Sequence, residues 1–212
     1  MSNSISNFHL ELLDSHRQII FDKLASGFPS CILGGGTALA LQIFHRKSYD
    51  FDFFHRDIID KGLLMKLKNY LVVQNVEVDN EDELTVLTDQ KIKISFIHYP
   101  FPSFFDRGIF VDKYHIFGID DIAIQKSYTI GRRGAYRDYF DLYSVLVNHY
   151  MTLEEVISGA EKAYGNLFST KLFLQQLVYF GDITEYGIES PTDDIVMPTV
   201  EAVKTFLSGQ VM

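Results

Sequence analysis

The feature that most constrains this chain is the glycine triplet Gly34–Gly36, which lies between an apolar tripeptide and a run of helix formers. Cys31-Ile32-Leu33 predicts a short buried strand, and Thr37–Phe44 consists largely of residues that favour helix. The glycines therefore predict a tight strand-to-helix turn. Backbone N–H groups in such a turn can approach a phosphate closely, and the helix points its positive end at it. Thr37 can add a hydroxyl or cap the helix.

Two aspartates follow on the next predicted strand, Tyr49–Phe54. Because a strand alternates sides, Asp50 and Asp52 leave on one face and the phenylalanines between them on the other. Two carboxylates this close repel each other unless a cation lies between them. Mg²⁺, or Mn²⁺ in its place, fits, since such ions are held by one or two carboxylates together with substrate phosphates and water.

Each half of this pattern has a simpler interpretation. A lone glycine triplet is often only a tight turn, and a lone Asp-x-Asp in a surface strand is often solvated. The combination is more specific, because the two motifs lie on consecutive strands with one short helix between them.

The rest of the chain predicts a mixed α/β first half and a helical second half. The predicted first-half elements are helices at Phe8–Ala25 and Asp60–Leu71 and strands at Val72–Val78, Leu84–Leu87, Lys91–Tyr99 and Val111–Ile116. The predicted second-half helices are Asp120–Ile130, Tyr136–Tyr150, Leu153–Tyr164, Thr170–Phe180 and Val200–Leu207. The predicted elements change from mixed strands and helices to helices near Gly118, which divides the chain into residues 1–117 and 118–212. We therefore predict the α+β fold class.

The order glycine turn, short helix, Asp-x-Asp strand resembles the DNA polymerase β-like nucleotidyltransferase superfamily. The sequence of Leu33–Leu41, followed by that of Arg46–Asp52, resembles more specifically the AbiEii/AbiGii abortive-infection toxin family. This resemblance implies a nucleotidyltransferase-fold mixed sheet with flanking helices over residues 1–117. It also implies that the helical second half, residues 118–212, completes the active site.

A second segment of the chain shows the same resemblance. In the family, a lysine on one helix is followed by an arginine and then by Arg/Lys-Asp-x-x-Asp-Leu on the next helix. The matching residues are Lys126, Arg133, Arg137, Asp138 and Asp141. Offsets of seven, eleven and fifteen residues from Lys126 return to nearly one helix face at ~100° per residue, although Gly131 and Gly134 interrupt the helix. In the functional interpretation the cations bind triphosphate or RNA phosphate. In the structural alternative Arg137 and Asp141 form an i, i+4 ion pair.

The resemblance implies a role for each matching residue. The implied catalytic residues are Asp50, Asp52, Lys126 and Asp141, and the two aspartates of the strand are also the metal ligands. The implied nucleotide-binding residues are Gly35, Gly36, Thr37, Arg46, Ser48, Arg133, Arg137 and Asp138. Polymerase β-like enzymes commonly use a third carboxylate on a later strand, where this chain has Ser95. We expect Asp141 or Asp138 to supply the missing charge.

The implied activity is Mg²⁺-dependent transfer of a nucleoside monophosphate from a nucleoside triphosphate to RNA, such as a tRNA 3′ end, or to protein. The implied setting is a bacterial toxin–antitoxin or phage-defence pair with a cognate antitoxin. The alternative is a nucleotide-binding module with weak or no catalysis, which the serine in place of the third carboxylate favours.

Composition limits these classes further. A net charge of −9 means that RNA would be held by a local basic cluster rather than by the field of the whole protein. Met1–Asn7 lacks a basic start and an apolar stretch, and no run is long enough to cross a bilayer. We therefore expect a cytoplasmic protein without membrane partners. Cys31, the single cysteine, is expected to be a buried inert thiol.

Overall fold

The computed structural model describes residues 8–130 and 132–211 and divides the chain into two compact units. One unit ends at Phe44 and resumes over Ser48–Gly118, and the other comprises His45–Lys47 and the chain from Ile119 onward. The predicted features at Met1–Asn7 and Gly131 lie outside the described residues.

The first unit is built on a seven-stranded mixed sheet in the order β3-β4-β5-β2-β1-β7-β6. Neighbouring strands β2 and β5, and β1 and β7, run parallel, and the other pairs are antiparallel. The strands are β1 (Ile32–Leu33), β2 (Phe51–His55), β3 (Val73–Asp79), β4 (Glu83–Thr88), β5 (Lys93–His98), β6 (Ile109–Val111) and β7 (Tyr114–Ile116). The helices of this unit are α1 (Ser15–Gly27), α2 (Gly35–Ile43), α3 (Leu63–Lys68) and α4 (Pro102–Phe105).

Aromatic residues fill the core on one face of the sheet. Phe51 and Phe53 are 0% and 2% exposed, and their rings stack on Phe21 of α1 and Phe96 of β5 at centroid distances of 5.4 and 5.6 Å. Asp52 lies between them in sequence and is only half-buried. The predicted alternation along this strand is therefore present, with phenylalanines toward the core and the carboxylate on the opposite face.

The second unit is helical. Its helices are α5 (Ile119–Thr129), α6 (Tyr136–Val147), α7 (Leu153–Tyr164), α8 (Thr170–Leu177) and α9 (Val200–Val211). A capping box begins α7, in which Thr152 accepts from the N–H of Glu155 and the Glu155 side chain accepts from the N–H of Thr152. The α+β class is confirmed, with a mixed sheet followed by helices.

Several predicted boundaries are wrong because a local turn overrides the apolar pattern. The helix predicted over Phe8–Ala25 is a 3₁₀ turn at Leu10–Leu12 followed by α1, which begins where Asp14 accepts from the N–H of Arg17. The strand predicted over Val111–Ile116 is the hairpin of β6 and β7, which turns at Asp112 with φ of 53°. The helix predicted over Asp60–Leu71 is confined to α3.

The last turns of the second half also differ from the predicted ends. The helices predicted to reach Tyr150 and Phe180 end at Val147 and Leu177, and the final helix extends past Leu207 to Val211. Loops take over at those ends without a proline or glycine at the boundary itself. Hydropathy alone therefore did not locate them.

A search of the described residues finds no helix that combines the length and the apolar character that a membrane span requires. Cys31 is 4% exposed, and burial raises the pKa of its thiol to about 11. The predicted burial of this thiol is confirmed. The raised pKa disfavours the thiolate, which is the reactive form of cysteine.

Candidate active site

The glycine turn lies directly against one of the two predicted metal ligands. Gly34 separates β1 from α2, and its N–H donates to the Asp52 carbonyl at 2.9 Å. Gly35 has a φ of +64°, and a Cβ added there would lie 2.6 Å from Asp52 Oδ2. The backbone of the turn thus approaches the carboxylate of Asp52 closely, at a left-handed position that favours glycine.

Thr37 and Ser48 hold the start of α2 to the chain that enters β2. The Thr37 hydroxyl bonds to Ser48 Oγ at 2.8 Å and donates to the Asp50 carbonyl, and its side chain is buried. No side chain caps α2, whose cap residue is Gly34. Thr37 therefore does not fill the capping role that was one of its two predicted functions. Its hydroxyl fixes the backbone beside Asp50.

The contact at Gly35 makes a direct prediction for substitution by alanine. We expect Gly35→Ala to lower the free energy of unfolding by about 1–3 kcal/mol, because the backbone is left-handed there and the new methyl group displaces the Asp52 carboxylate. Chemical denaturation measures this change. Gly209→Ala is the matched control, because Gly209 lies on α9 and a Cβ there would meet nothing within 4 Å, so its free energy of unfolding should stay unchanged or rise. Equal effects of the two substitutions would contradict the assignment.

The acidic pair suits a hard divalent cation. Asp50 lies immediately before β2 and Asp52 within it, both half-buried, beside a turn whose close approach a Cβ would block. Carboxylate oxygens are the ligands that Mg²⁺ prefers, with waters and substrate phosphates filling the remaining positions. The described residues hold no group of three or more His, Cys, Asp or Glu side chains placed to bind a metal. The residues present fit an ion shared between the protein and a nucleotide.

The serine that replaces a third carboxylate lies beside Asp52. The two residues are register partners in the parallel β2–β5 pair, so their side chains leave the same face of the sheet. Ser95 is 4% exposed, and its Oγ lies 2.9 Å from the Thr85 hydroxyl of β4. Ser95, which the sequence predicts to occupy the position of the missing carboxylate, is therefore the cross-strand neighbour of Asp52.

In the second unit, Asp141 is the centre of a buried ion cluster, which consists of His45, Arg46, Lys126, Asp138 and Asp141. Arg133 joins the cluster from the surface, since its side chain is 51% exposed. Arg46 donates to both Asp141 oxygens, at 2.6 and 3.0 Å, and Lys126 Nζ lies 2.7 Å from Oδ2. His45 Nε2 lies 2.8 Å from Oδ1. Each oxygen thus has two donors, which fills the roughly four acceptor positions of a carboxylate.

Asp138 is the second anion of the buried ion cluster. Lys126 Nζ lies 2.7 Å from its Oδ1, and Arg133 donates to both of its oxygens at 2.7 and 2.8 Å. Arg133 lies in the connection between α5 and α6, where the sequence predicts a break between two helices. The suggested alignment of Lys126 and Asp141 on one helix face is therefore not present. The predicted i, i+4 pair of Arg137 with Asp141 is also wrong, since Arg46 and Lys126 take that place.

Neighbouring cations favour the ionised form of both carboxylates despite their burial. Burial acts to raise the pKa of Asp141, but the charges of Arg46 and Lys126 outweigh it and hold that pKa well below its usual range. Burial likewise opposes ionisation of Asp138, and Lys126 and Arg133 lower its pKa. Burial lowers the pKa of His45, and its contact with Asp141 only partly offsets this. A neutral His45 then donates from Nε2.

This geometry favours anchoring over proton transfer for the two acids. A base must offer a free lone pair, and those of Asp141 are committed to three side chains. Arg46 is predicted to bind nucleotide, but its guanidinium donates to Asp141 and, at 2.9 Å, to the Lys47 carbonyl. Lys126 uses two of its three donors on Asp138 and Asp141.

Sequence reasoning did not single out three participants. The His45 side chain is 5% exposed and bonds to Asp141 in the buried ion cluster. Thr85 lies opposite Ser95 in the β4–β5 register, and Glu83 lies two residues earlier on β4. The signal for all three lay in strand register and tertiary contact, which spacing along one element does not reveal.

Comparison with known proteins decides the family. The profile of the family described as "Nucleotidyl transferase AbiEii toxin, Type IV TA system" matches residues 18–207. The chain belongs to the AbiEii nucleotidyltransferase toxin family. The resemblance inferred from the glycine turn and the Lys126–Asp141 block is thereby confirmed, and the protein is a nucleotidyltransferase.

Other known proteins are similar to this chain in sequence or in fold. An uncharacterized protein of Aquifex aeolicus is 32% identical over 187 residues, which cover 84% of this chain and 85% of that protein. The nucleotidyltransferase toxin MenT4 of Mycobacterium tuberculosis has the same fold, with a TM-score of 0.64, 15% identity and coverage of 94% and 82% of the two chains. JHP933 of Helicobacter pylori aligns with a TM-score of 0.54 at 20% identity, covering 100% of this chain and 91% of the other.

Proposed function

We propose that this AbiEii-family protein transfers a nucleoside monophosphate from a nucleoside triphosphate to a hydroxyl of RNA or protein, in a reaction that depends on Mg²⁺. The observation that supports the proposal is the close approach of Gly35 to the Asp52 carboxylate. Because of it, the amides that we propose bind phosphate lie beside the oxygens that we propose bind the metal. Among RNA acceptors, the 3′ end of tRNA should be tested first.

The glycine turn supports the triphosphate part of the proposal. The first N–H groups of a helix lack intrahelical partners, and Gly35, Gly36 and Thr37 open α2. These amides and the helix dipole favour an anionic oxygen at that end. Gly35 keeps the approach open, and the Thr37 and Ser48 hydroxyls hold the turn in place.

The acidic pair supports the metal part. Asp50 and Asp52 would hold the ion, which when bound neutralises phosphate charge and steadies the attacking and leaving oxygens. The third donor of Lys126 is proposed to bind a phosphate oxygen, as sequence resemblance implies. Within residues 8–130 and 132–211, the Arg137 guanidinium makes no hydrogen bond or ion pair. We therefore propose Arg137 as a further phosphate ligand.

The proposed biological setting follows from the family. The family is described as part of a type IV toxin–antitoxin system. We infer a cognate antitoxin encoded beside this gene and a role in bacterial abortive infection. Co-expression with the neighbouring gene should relieve any growth arrest that expression of this chain alone causes.

Metal removal tests the enzymatic proposal. The protein is incubated with each of four labelled nucleoside triphosphates, with total RNA or total protein, and with Mg²⁺ or excess EDTA. Label should enter one acceptor class with Mg²⁺ and none with EDTA, because two adjacent carboxylates cannot hold a triphosphate without a cation. Gel electrophoresis and scintillation counting give the measurement.

The same experiment separates the alternatives. Nucleotide binding by calorimetry without label transfer to RNA or protein would favour the nucleotide-binding module. Transfer that continues undiminished in EDTA would contradict the metal site. Transfer to protein alone would remove RNA as the acceptor while leaving the chemistry in place.

A further inference from the structure

A row of polar side chains extends from Asp52 across two further strands. Asp52 pairs with Ser95 between β2 and β5, and Ser95 pairs with Thr85 between β5 and β4. Paired residues of neighbouring strands share a face, and Glu83 shares the face of Thr85 because it lies two residues earlier on β4. The row therefore reaches from a predicted metal ligand to a carboxylate that sequence spacing did not connect with it.

Hydrogen bonds join this row. The Thr85 hydroxyl donates to the Glu83 carboxylate, and the hydroxyl oxygens of Thr85 and Ser95 lie 2.9 Å apart. Thr85 and Ser95 are 1% and 4% exposed, whereas Glu83 is half-buried. Two buried hydroxyls therefore connect a partly solvated acid to the position beside Asp52.

The carboxylate fixes the direction of every proton in the row. An ionised carboxylate only accepts, so the single Thr85 proton points to Glu83. Thr85 must then accept from Ser95, which uses the single Ser95 proton. The Ser95 oxygen is left with lone pairs alone for any further partner.

We propose that Glu83, acting through Thr85, positions Ser95 Oγ as a neutral oxygen acceptor for the metal ion or its water beside Asp52. The inference rests on the proposed function, in which Asp50 and Asp52 hold a divalent cation. Hard cations bind neutral hydroxyl and carbonyl oxygens as well as carboxylates. Ser95 in this orientation takes over the oxygen of the absent third carboxylate without adding its charge, and Glu83 is a positioning residue.

Metal affinity tests the row without relying on turnover. Mn²⁺ is titrated calorimetrically into the nucleotide-free full-length protein. Thr85→Val keeps the side-chain shape but frees the Ser95 proton, and Ser95→Ala removes the oxygen. Each should weaken Mn²⁺ binding by about 10-fold, the lower end of what outer residues of metal sites contribute.

Four further variants make the measurement specific to the row. The double variant Thr85→Val/Ser95→Ala should bind Mn²⁺ no more weakly than Ser95→Ala, since Thr85 acts only through Ser95. Ser95→Asp should bind Mn²⁺ more tightly than the wild type. Glu83→Met, which removes the acceptor at similar length, should weaken binding, whereas Glu81→Met at an exposed neighbour should not.

A matched threonine controls for packing. Thr88→Val removes a hydroxyl that is equally buried on β4 but that accepts from the N–H of Ile92, away from the row. It should keep wild-type Mn²⁺ affinity at a comparable melting temperature. If Thr85→Val and Ser95→Ala also keep wild-type affinity, the inference is overturned while the proposed function stands. A wild-type protein that binds no Mn²⁺, either alone or with a non-hydrolysable nucleoside triphosphate analogue present, overturns both.

Discussion

Asp52→Asn is expected to lower nucleotide transfer by at least about 100-fold, because a divalent cation contributes several kcal/mol to phosphoryl transfer and each 1.36 kcal/mol is tenfold in rate. Asparagine has nearly the same shape and keeps one oxygen, so Gly35 still fits against it. The loss is therefore of charge at the metal rather than of packing. Transfer of labelled nucleotide under single-turnover conditions measures it.

A control and a second readout complete this test. Asp57→Asn changes an exposed aspartate just after β2 and should keep wild-type transfer. Calorimetric Mn²⁺ binding should be weakened in Asp52→Asn and unchanged in Asp57→Asn. Wild-type transfer by a folded Asp52→Asn protein would remove the acidic pair from the chemistry.

Asp141→Asn is expected to lower the free energy of unfolding by about 3–5 kcal/mol, which is the effect of removing one partner from a buried ion pair. The amide has one oxygen to accept from Arg46, Lys126 and His45, and its NH₂ group meets donors that it cannot pair with. Urea denaturation measures the change. Asp120→Asn, at an exposed aspartate on α5, should change this free energy by no more than about 0.5 kcal/mol.

Acid provides a check on the same carboxylate. The pKa of Asp141 is held well below its usual range in the fold, so its contribution to stability is complete above the unfolded value of about 3.9 and is lost as the pH falls toward the folded value. The stability difference between wild type and Asp141→Asn should therefore shrink only below about pH 4. A folded Asp141→Asn protein of wild-type stability, but without transfer, would instead restore Asp141 as the predicted base.

The parts of the molecule that sequence predicted are those that local pattern determines. The glycine turn, the alternation of Phe51, Asp52 and Phe53, and the position of Ser95 each follow from spacing within one or two elements. The family and the α+β class followed from the same residues. Strand ends and the β6–β7 turn were missed, because a single residue such as Asp112 decides them against the apolar pattern.

The members of the buried ion cluster other than His45 were recognised from sequence, but their arrangement was not. Helical spacing put Arg137 next to Asp141, whereas the fold brings Arg46 to it from 95 residues earlier in the chain. No periodicity within α6 contains that information. The same holds for Glu83 and Thr85, which became relevant only when β4 paired with the strand that carries Ser95.

The dispersed origin of the second unit has a consequence for anyone who divides this protein. His45–Lys47 belongs to that unit although the chain around it, α2 and β2, belongs to the other. A fragment that begins at Ile119 would carry Asp141 without His45 and Arg46, and a ribosome completes Arg46 long before it reaches the acid that Arg46 binds. The helical part therefore cannot be removed as a continuous segment. A chimera that exchanges it between relatives must also exchange the tripeptide His45–Lys47.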